Sequence, residues 1–180
     1  GMIVFMGVAG AGKSLQGRLL ADEAGLPWLS TGQFLRMLIS GQERKDMLVG
    51  KLLDDQEMFS LVQKIFGIVD TTHEFVLDGF PRTGPQADWL IKGANNSGPT
   101  VTVVINLQAS EAVVRDRLLA RGRLDDTQTA IHNRFEEYKT MTLPILDQFR
   151  VAGIPLKDIN GDQTSEKVHQ DIMAALQGMI

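Results

Sequence analysis

The sequence predicts an α/β domain, a three-layer sandwich around a five-stranded parallel sheet. Short β-type runs alternate with helical stretches along the chain, the order that builds βαβ units. Two of the runs, Ile3-Val4-Phe5-Met6 and Val101-Thr102-Val103-Val104-Ile105, are apolar on both faces, as strands covered by helices on each side must be. The length of 180 residues fits a single domain with insertions.

The elements follow in order. The first strand is Ile3 to Met6 and stops at Gly7. A weaker second run is Pro27 to Ser30, a third Glu74 to Asp78, and a fourth Val101 to Ile105. The fifth, Ile154 to Ile159, contains Pro155, which cannot donate to a ladder and so predicts a sheet edge. Helical patterns cover Lys13 to Ala24, Thr31 to Ser40, Asp54 to Val69, Gly84 to Lys92, Ser110 to Arg121, Asp126 to Val151 and Ser165 to Leu176. A turn cluster, Gly93 to Pro99, precedes the fourth strand, and Asn160-Gly161-Asp162 follows the fifth. Thr31 to Thr72 carries helical patterns without a strand, so it reads as an all-helical insertion between the second and third strands.

Composition excludes several classes. There is no cysteine, hence no disulfide framework and no thiolate zinc site. His73, His132 and His169 are scattered without metal-ligand spacing. The net charge is −4, which argues against a general binder of nucleic-acid polymers. Met2 to Gly12, the longest run free of charged and strongly polar residues, is well short of the roughly 18 needed to span a bilayer. It lacks a preceding basic segment, so it is not read as a signal peptide. No membrane association and a cytoplasmic location are expected.

Gly7-Val8-Ala9-Gly10-Ala11-Gly12-Lys13-Ser14 matches G-x-x-x-x-G-K-[ST] between an apolar strand and a helix. Glycines at 7, 10 and 12 and alanine at 11 let the backbone wrap an anion, and the helix N-terminus adds partial positive charge there. In such a loop Lys13 reaches the β- and γ-phosphates and Ser14 holds Mg²⁺. Asp78 ends an apolar strand, where a carboxylate beside a phosphate loop sits near the metal.

A second set of residues suits a phosphorylated acceptor. In Asp78-Gly79-Phe80-Pro81-Arg82, Gly79 permits close backbone approach, Pro81 stiffens the turn and Arg82 can grip a phosphate bidentately. Gln86 offers a donor and an acceptor, suited to a base edge. Ser30-Thr31-Gly32-Gln33-Phe34-Leu35-Arg36 places a hydroxyl at a helix start and an arginine five residues on. The alternatives are an ordinary N-cap for Thr31 and a solvated helix face for Arg36.

Together these strings resemble the adenylate kinase family of nucleoside monophosphate kinases over essentially the whole chain. The resemblance includes Gly50-Lys51-Leu52-Leu53, Arg123-Leu124-Asp125-Asp126, Arg134, Tyr138 and Asn160-Gly161. It implies a three-layer P-loop NTPase fold, with residues 30–66 as the monophosphate-binding insertion and residues 121–127 as a short lid. It implies transfer of the ATP γ-phosphoryl group to AMP with Mg²⁺, by a monomer. ATP would contact Gly7, Gly10, Ala11, Gly12, Lys13, Ser14, Leu15, Arg117 and Arg121. AMP would contact Thr31, Arg36, Lys51, Leu53, Gly79, Arg82, Gln86, Arg123 and Arg134. Lys13, Arg82, Arg121, Arg123 and Arg134 would act on the transferred group. Thr31 and Gln86 are the types found in the family's adenine-specific members, so the resemblance points to AMP rather than UMP or CMP.

The arginines suit this reading. Arg117 and Arg121 share a helix face, Arg123 follows Gly122, and Arg134 lies on the next helix. Two polyphosphates in contact repel one another until such charges screen them. The alternative is surface pairing with Asp116, Asp125, Asp126, Glu136 and Glu137. With Lys13, Arg36 and Arg82 they make seven of the eighteen basic residues, all sent to one cleft of an acidic chain. Three departures from the family pattern stand out. Ser14-Leu15 replaces Gly-Thr, Gln33 stands where aspartate is usual, and only Gly122 separates Arg121 from Arg123. These keep open a nucleotide-binding module with weak catalysis.

Overall fold

The computed structural model describes residues 1–38, 54–93, 98–122 and 127–180. Among the described residues five strands, β1 (Met2–Gly7), β2 (Trp28–Ser30), β3 (Phe75–Asp78), β4 (Val101–Gln108) and β5 (Leu156–Asn160), form one sheet in the order β2-β3-β1-β4-β5. Every pairing is parallel. β5 lies at an edge, where Pro155 just before it needs no ladder partner for its missing N–H. β4 runs three residues past its expected end, to Gln108.

The described helices are α1 (Lys13–Ala24), α2 (Thr31–Leu38), α3 (Asp55–Ile68), α4 (Gly84–Gly93), α5 (Glu111–Arg121), α6 (Gln128–Glu137), α7 (Leu143–Val151) and α8 (Ser165–Ala175). Their starts follow side-chain chemistry. Asp54, Ser110, Thr127 and Thr164 each accept a hydrogen bond from a first-turn backbone N–H, which satisfies a donor the helix itself cannot. Among the described residues, only helix lies between β2 and β3.

Strand alternation sorts the core into two layers. Ile3 and Phe5 of β1 face one way, with Leu20 of α1, Val114 and Leu118 of α5, Ile131 and Phe135 of α6, and Val168 and Ile172 of α8. Met2, Val4 and Met6 face the other, with Val62 and Ile65 of α3, Ala87 and Leu90 of α4, and Ile145 and Phe149 of α7. The central strand is therefore buried on both faces, as its continuous apolar run requires.

The single helix expected over 126–151 is interrupted by a π-helical turn at Tyr138–Thr142. Pro144, in the first turn of α7, has no N–H, and its ring displaces the carbonyl four residues back. Thr140 Oγ1 donates to Glu136 O (3.0 Å), a back-bond that also loosens a regular helix. Tyr138 Oη donates to Asn106 Oδ1 (3.2 Å), and Asn106 Nδ2 donates to Asp158 Oδ1 (2.9 Å), so this turn is tied to β4 and β5.

Candidate active site

The glycine-rich loop leaves β1 at the centre of the sheet and enters α1 at Lys13. Ala11 N donates to Val8 O (3.0 Å) and Gln16 N to Gly12 O (2.9 Å), which curls the loop over the helix start. Gly10 has φ +89°, and a Cβ there would lie 2.8 Å from Val114 Cγ1 and 2.9 Å from Leu118 Cγ. Only glycine lets α5 pack this closely beneath the loop.

The neighbouring strand brings the acid. β3 pairs with β1 in a register that sets Phe5 beside Asp78. Asp78 is buried, and its carboxylate accepts from Ser14 Oγ (2.7 Å) while Lys13 Nζ lies 3.3 Å from Oδ1. Burial pulls the Lys13 pKa below the ordinary lysine value; the Asp78 charge opposes that shift and Arg82 adds to it. Lys13, Ser14, Asp78 and Arg82 therefore share one end of the sheet, outside the carboxyl ends of its strands, where ligands bind in such folds.

The turn after β3 carries the next group. Gly79 has φ +92°, and a Cβ there would collide with Thr31 Oγ1. Thr31 is buried and donates to Asp78 O (3.5 Å), a long bond. The N-terminal turn of α2 is capped instead by Ser30, whose Oγ accepts from Gln33 N (3.3 Å). The ordinary-cap alternative for Thr31 therefore gives way to Ser30. Arg82 is exposed, and its Nε donates to Gly79 O (3.0 Å); among the described residues its two terminal nitrogens make no hydrogen bond, and Asp78 and Glu137 are the acids whose charge acts on the guanidinium. Replacing Gly79 with alanine should destabilise the fold by about 1–3 kcal/mol, the cost of holding a non-glycine residue in this backbone region. Urea unfolding of Gly79→Ala measures it; an unchanged midpoint would show that the turn relaxes freely.

Gln86 is buried on α4, with both amide ends engaged. Its Oε1 accepts from the Arg82 backbone N–H (2.7 Å) and its Nε2 donates to Asp55 Oδ1 (3.0 Å). Thr83 Oγ1 donates to the same Asp55 oxygen (2.8 Å) and accepts from Gln86 N (3.2 Å). The sequence gives no sign of Asp55 at this place, because an acid following Asp54 reads only as first-turn charge on a helix.

The arginines divide. Among the described residues Arg117 on α5 pairs with no acid; its guanidinium donates to the backbone carbonyls of Gly161 (2.7 Å), Gln163 (3.3 Å) and Ala11 (3.4 Å). It thus joins the phosphate loop to the turn after β5. Arg121 ends α5 and Arg134 lies half-buried on α6. Leu15 is exposed in the first turn of α1. Lys51, Leu53, Arg123 and the side chain of Arg36 lie outside the described residues.

A glycine-rich loop between the central strand and its helix, with a buried acid on the adjacent strand, defines the P-loop class of α/β phosphate-binding domains. The sequence profile of the adenylate kinase family matches residues 5–154. Adenylate kinase 1 of a Nostoc species is 36% identical, covering 97% of each chain. Adenylate kinase 1 of a Synechocystis species is 36% identical, covering 92% of this chain and 91% of its own. The adenylate kinase of Corynebacterium glutamicum is 34% identical, over 97% of this chain and 98% of its own. The chain belongs to the adenylate kinase family.

Proposed function

We propose that this chain catalyses the reversible transfer of the γ-phosphoryl group of ATP to AMP, giving two molecules of ADP. The observation that carries this reading is the position of Asp78. One side of it meets Lys13 and Ser14 of the phosphate loop, and the turn beyond it leads directly to Arg82. A donor polyphosphate in the loop and an acceptor phosphate on Arg82 would then be neighbours.

The chemistry is displacement at phosphorus. An oxygen of the AMP phosphate forms a bond to the γ-phosphorus as the bond from that phosphorus to the bridging oxygen breaks, and its electron pair stays on the β-phosphate. The acceptor oxygen is already anionic near neutral pH, so no base is required; positioning and charge stabilisation carry catalysis. Lys13 offers charge to the β- and γ-phosphates, and Arg82 grips the acceptor phosphate. Arg121, Arg123 and Arg134 screen the transferred group as a short lid over residues 121–127 closes and excludes water. Arg117 fixes the loop and the donor side. Thr31, Arg36, Lys51, Leu53, Gly79 and Gln86 would serve the acceptor side, within and beside the insertion at residues 30–66.

Ser14 and Asp78 fit Mg²⁺. Both present hard oxygen donors, 2.7 Å apart, and this ion commonly takes one or two protein oxygens and completes its shell with water and substrate phosphate. A Mg²⁺ ion held there supplies charge neutralisation to the β- and γ-phosphate oxygens. The proposed enzyme works as a cytoplasmic monomer, since one chain carries both the loop and Arg82. No described helix is long and apolar enough to cross a membrane. Leu15, Gln33 and the short lid favour a modest rate.

A coupled ADP assay with ATP, Mg²⁺ and a panel of AMP, UMP, CMP and GMP tests the reading. AMP is expected to be the best acceptor. A faster rate with UMP or CMP would replace AMP in the proposal, and ATP binding without turnover on any acceptor would leave a nucleotide-binding module.

A further inference from the structure

Gln86 sits between two neighbours that can each do only one thing. A carboxylate can only accept, and a backbone N–H can only donate. Asp55 Oδ1 meets the amide nitrogen and the Arg82 N–H meets the amide oxygen, so both contacts select the same orientation. A flipped amide would set oxygen against carboxylate and N–H against N–H. The Asp55 contact is charge-assisted, which makes it the stronger half of this lock.

Asp55 is itself held. The same oxygen accepts from Thr83 Oγ1, and Thr83 in turn accepts from the Gln86 backbone N–H. Asp55 opens α3, on the far side of the helical insertion from β2, whereas Thr83 and Gln86 lie at the start of α4. A group supplied by the insertion therefore controls an amide mounted on the main domain.

We propose that Asp55 is a specificity-determining positioning residue: it fixes the Gln86 amide so that one N–H and one oxygen lone pair remain, in fixed order, for the base of the acceptor. An amide offers two N–H groups and two lone pairs, and the contacts to the Arg82 backbone N–H and Asp55 use one of each. Adenine presents an amino donor beside a ring-nitrogen acceptor. Hypoxanthine reverses both, with a carbonyl acceptor beside a ring N–H donor. An amide locked in one orientation matches the first edge and mismatches the second; one free to turn can match either. Leaving buried polar groups mismatched is what makes such discrimination large. The inference rests on the reading of Gln86 as a contact to the acceptor base.

The test compares AMP with IMP as acceptors for the whole enzyme, with ATP held saturating. Asp55→Ala and Thr83→Val should each lower the AMP-to-IMP ratio of kcat/KM, Asp55→Ala by about tenfold, on the scale of one lost charge-assisted hydrogen bond. The change should appear in KM for the acceptor, measured well below each variant's melting temperature, with KM for ATP near that of the parent. Asp55→Asn, which can present oxygen or nitrogen to the amide, should lose the ratio as well. If all three variants slow both acceptors equally, Asp55 merely docks the insertion and the proposal is overturned. Gln86→Leu is the control for the underlying reading. If it keeps the parent's preference for AMP, Gln86 does not read the base and both ideas fall; if it loses the preference while the Asp55 and Thr83 variants keep it, only the Asp55 proposal fails.

Discussion

Lys13→Ala should lower kcat/KM with ATP and AMP by about a thousandfold. A cation roughly 4 Å from a phosphate oxygen contributes on the order of 4 kcal/mol at an effective dielectric near 20. At about 1.4 kcal/mol for each factor of ten, that is about three powers of ten in rate. The loss should fall mainly on kcat, because charge accumulates on the bridging and terminal oxygens as the phosphoryl group moves. The substitution removes the cation 3.3 Å from the buried Asp78 carboxylate, so some stability should be lost as well. Measuring kcat and KM well below the melting temperature separates the two effects. A variant that keeps a tenth of the parent kcat would remove Lys13 from the transfer step.

Arg82→Ala should cost about 10²–10³-fold in kcat/KM for AMP, the scale expected for a lost donor aimed at developing charge. KM for ATP should hardly move, since the phosphate loop is built from β1 and α1 and does not use this side chain. Arg82→Lys should recover little. The guanidinium already spends Nε on Gly79 O and would offer the phosphate two parallel donors, which one ammonium cannot reproduce. Full activity in the lysine variant would mean that Arg82 acts only as a diffuse charge.

The parts of this molecule that could be read from its sequence are those fixed by local pattern. β1 declares itself because both faces are covered, and the loop after it because close packing of α5 on Gly10 demands glycine in a spaced series. Pro155 marks the edge for a reason contained in one residue. What depends on contacts across the chain was not legible. Thr31 stands at the start of α2 like a cap, yet Ser30 makes that contact and Thr31 turns to the carbonyl of Asp78. Arg117, which the resemblance sends to the ATP side with surface pairing as the alternative, holds three backbone carbonyls from two other segments. Asp55 meets Gln86 across 31 residues of chain, and no periodicity or motif encodes that meeting. The π-helical turn at Tyr138–Thr142 lies between these cases: Pro144 is visible in the sequence, but it disturbs the helical pattern without breaking it.

The central claim, that one site joins an ATP loop to an AMP phosphate, is tested most directly by following phosphorus-31 NMR of the protein with Mg²⁺ and nucleotides. With ATP and AMP together, each ATP consumed should yield two ADP with no inorganic phosphate, and ADP alone should return ATP and AMP to the same equilibrium mixture. ATP converted to ADP and inorganic phosphate at a rate indifferent to AMP would contradict it.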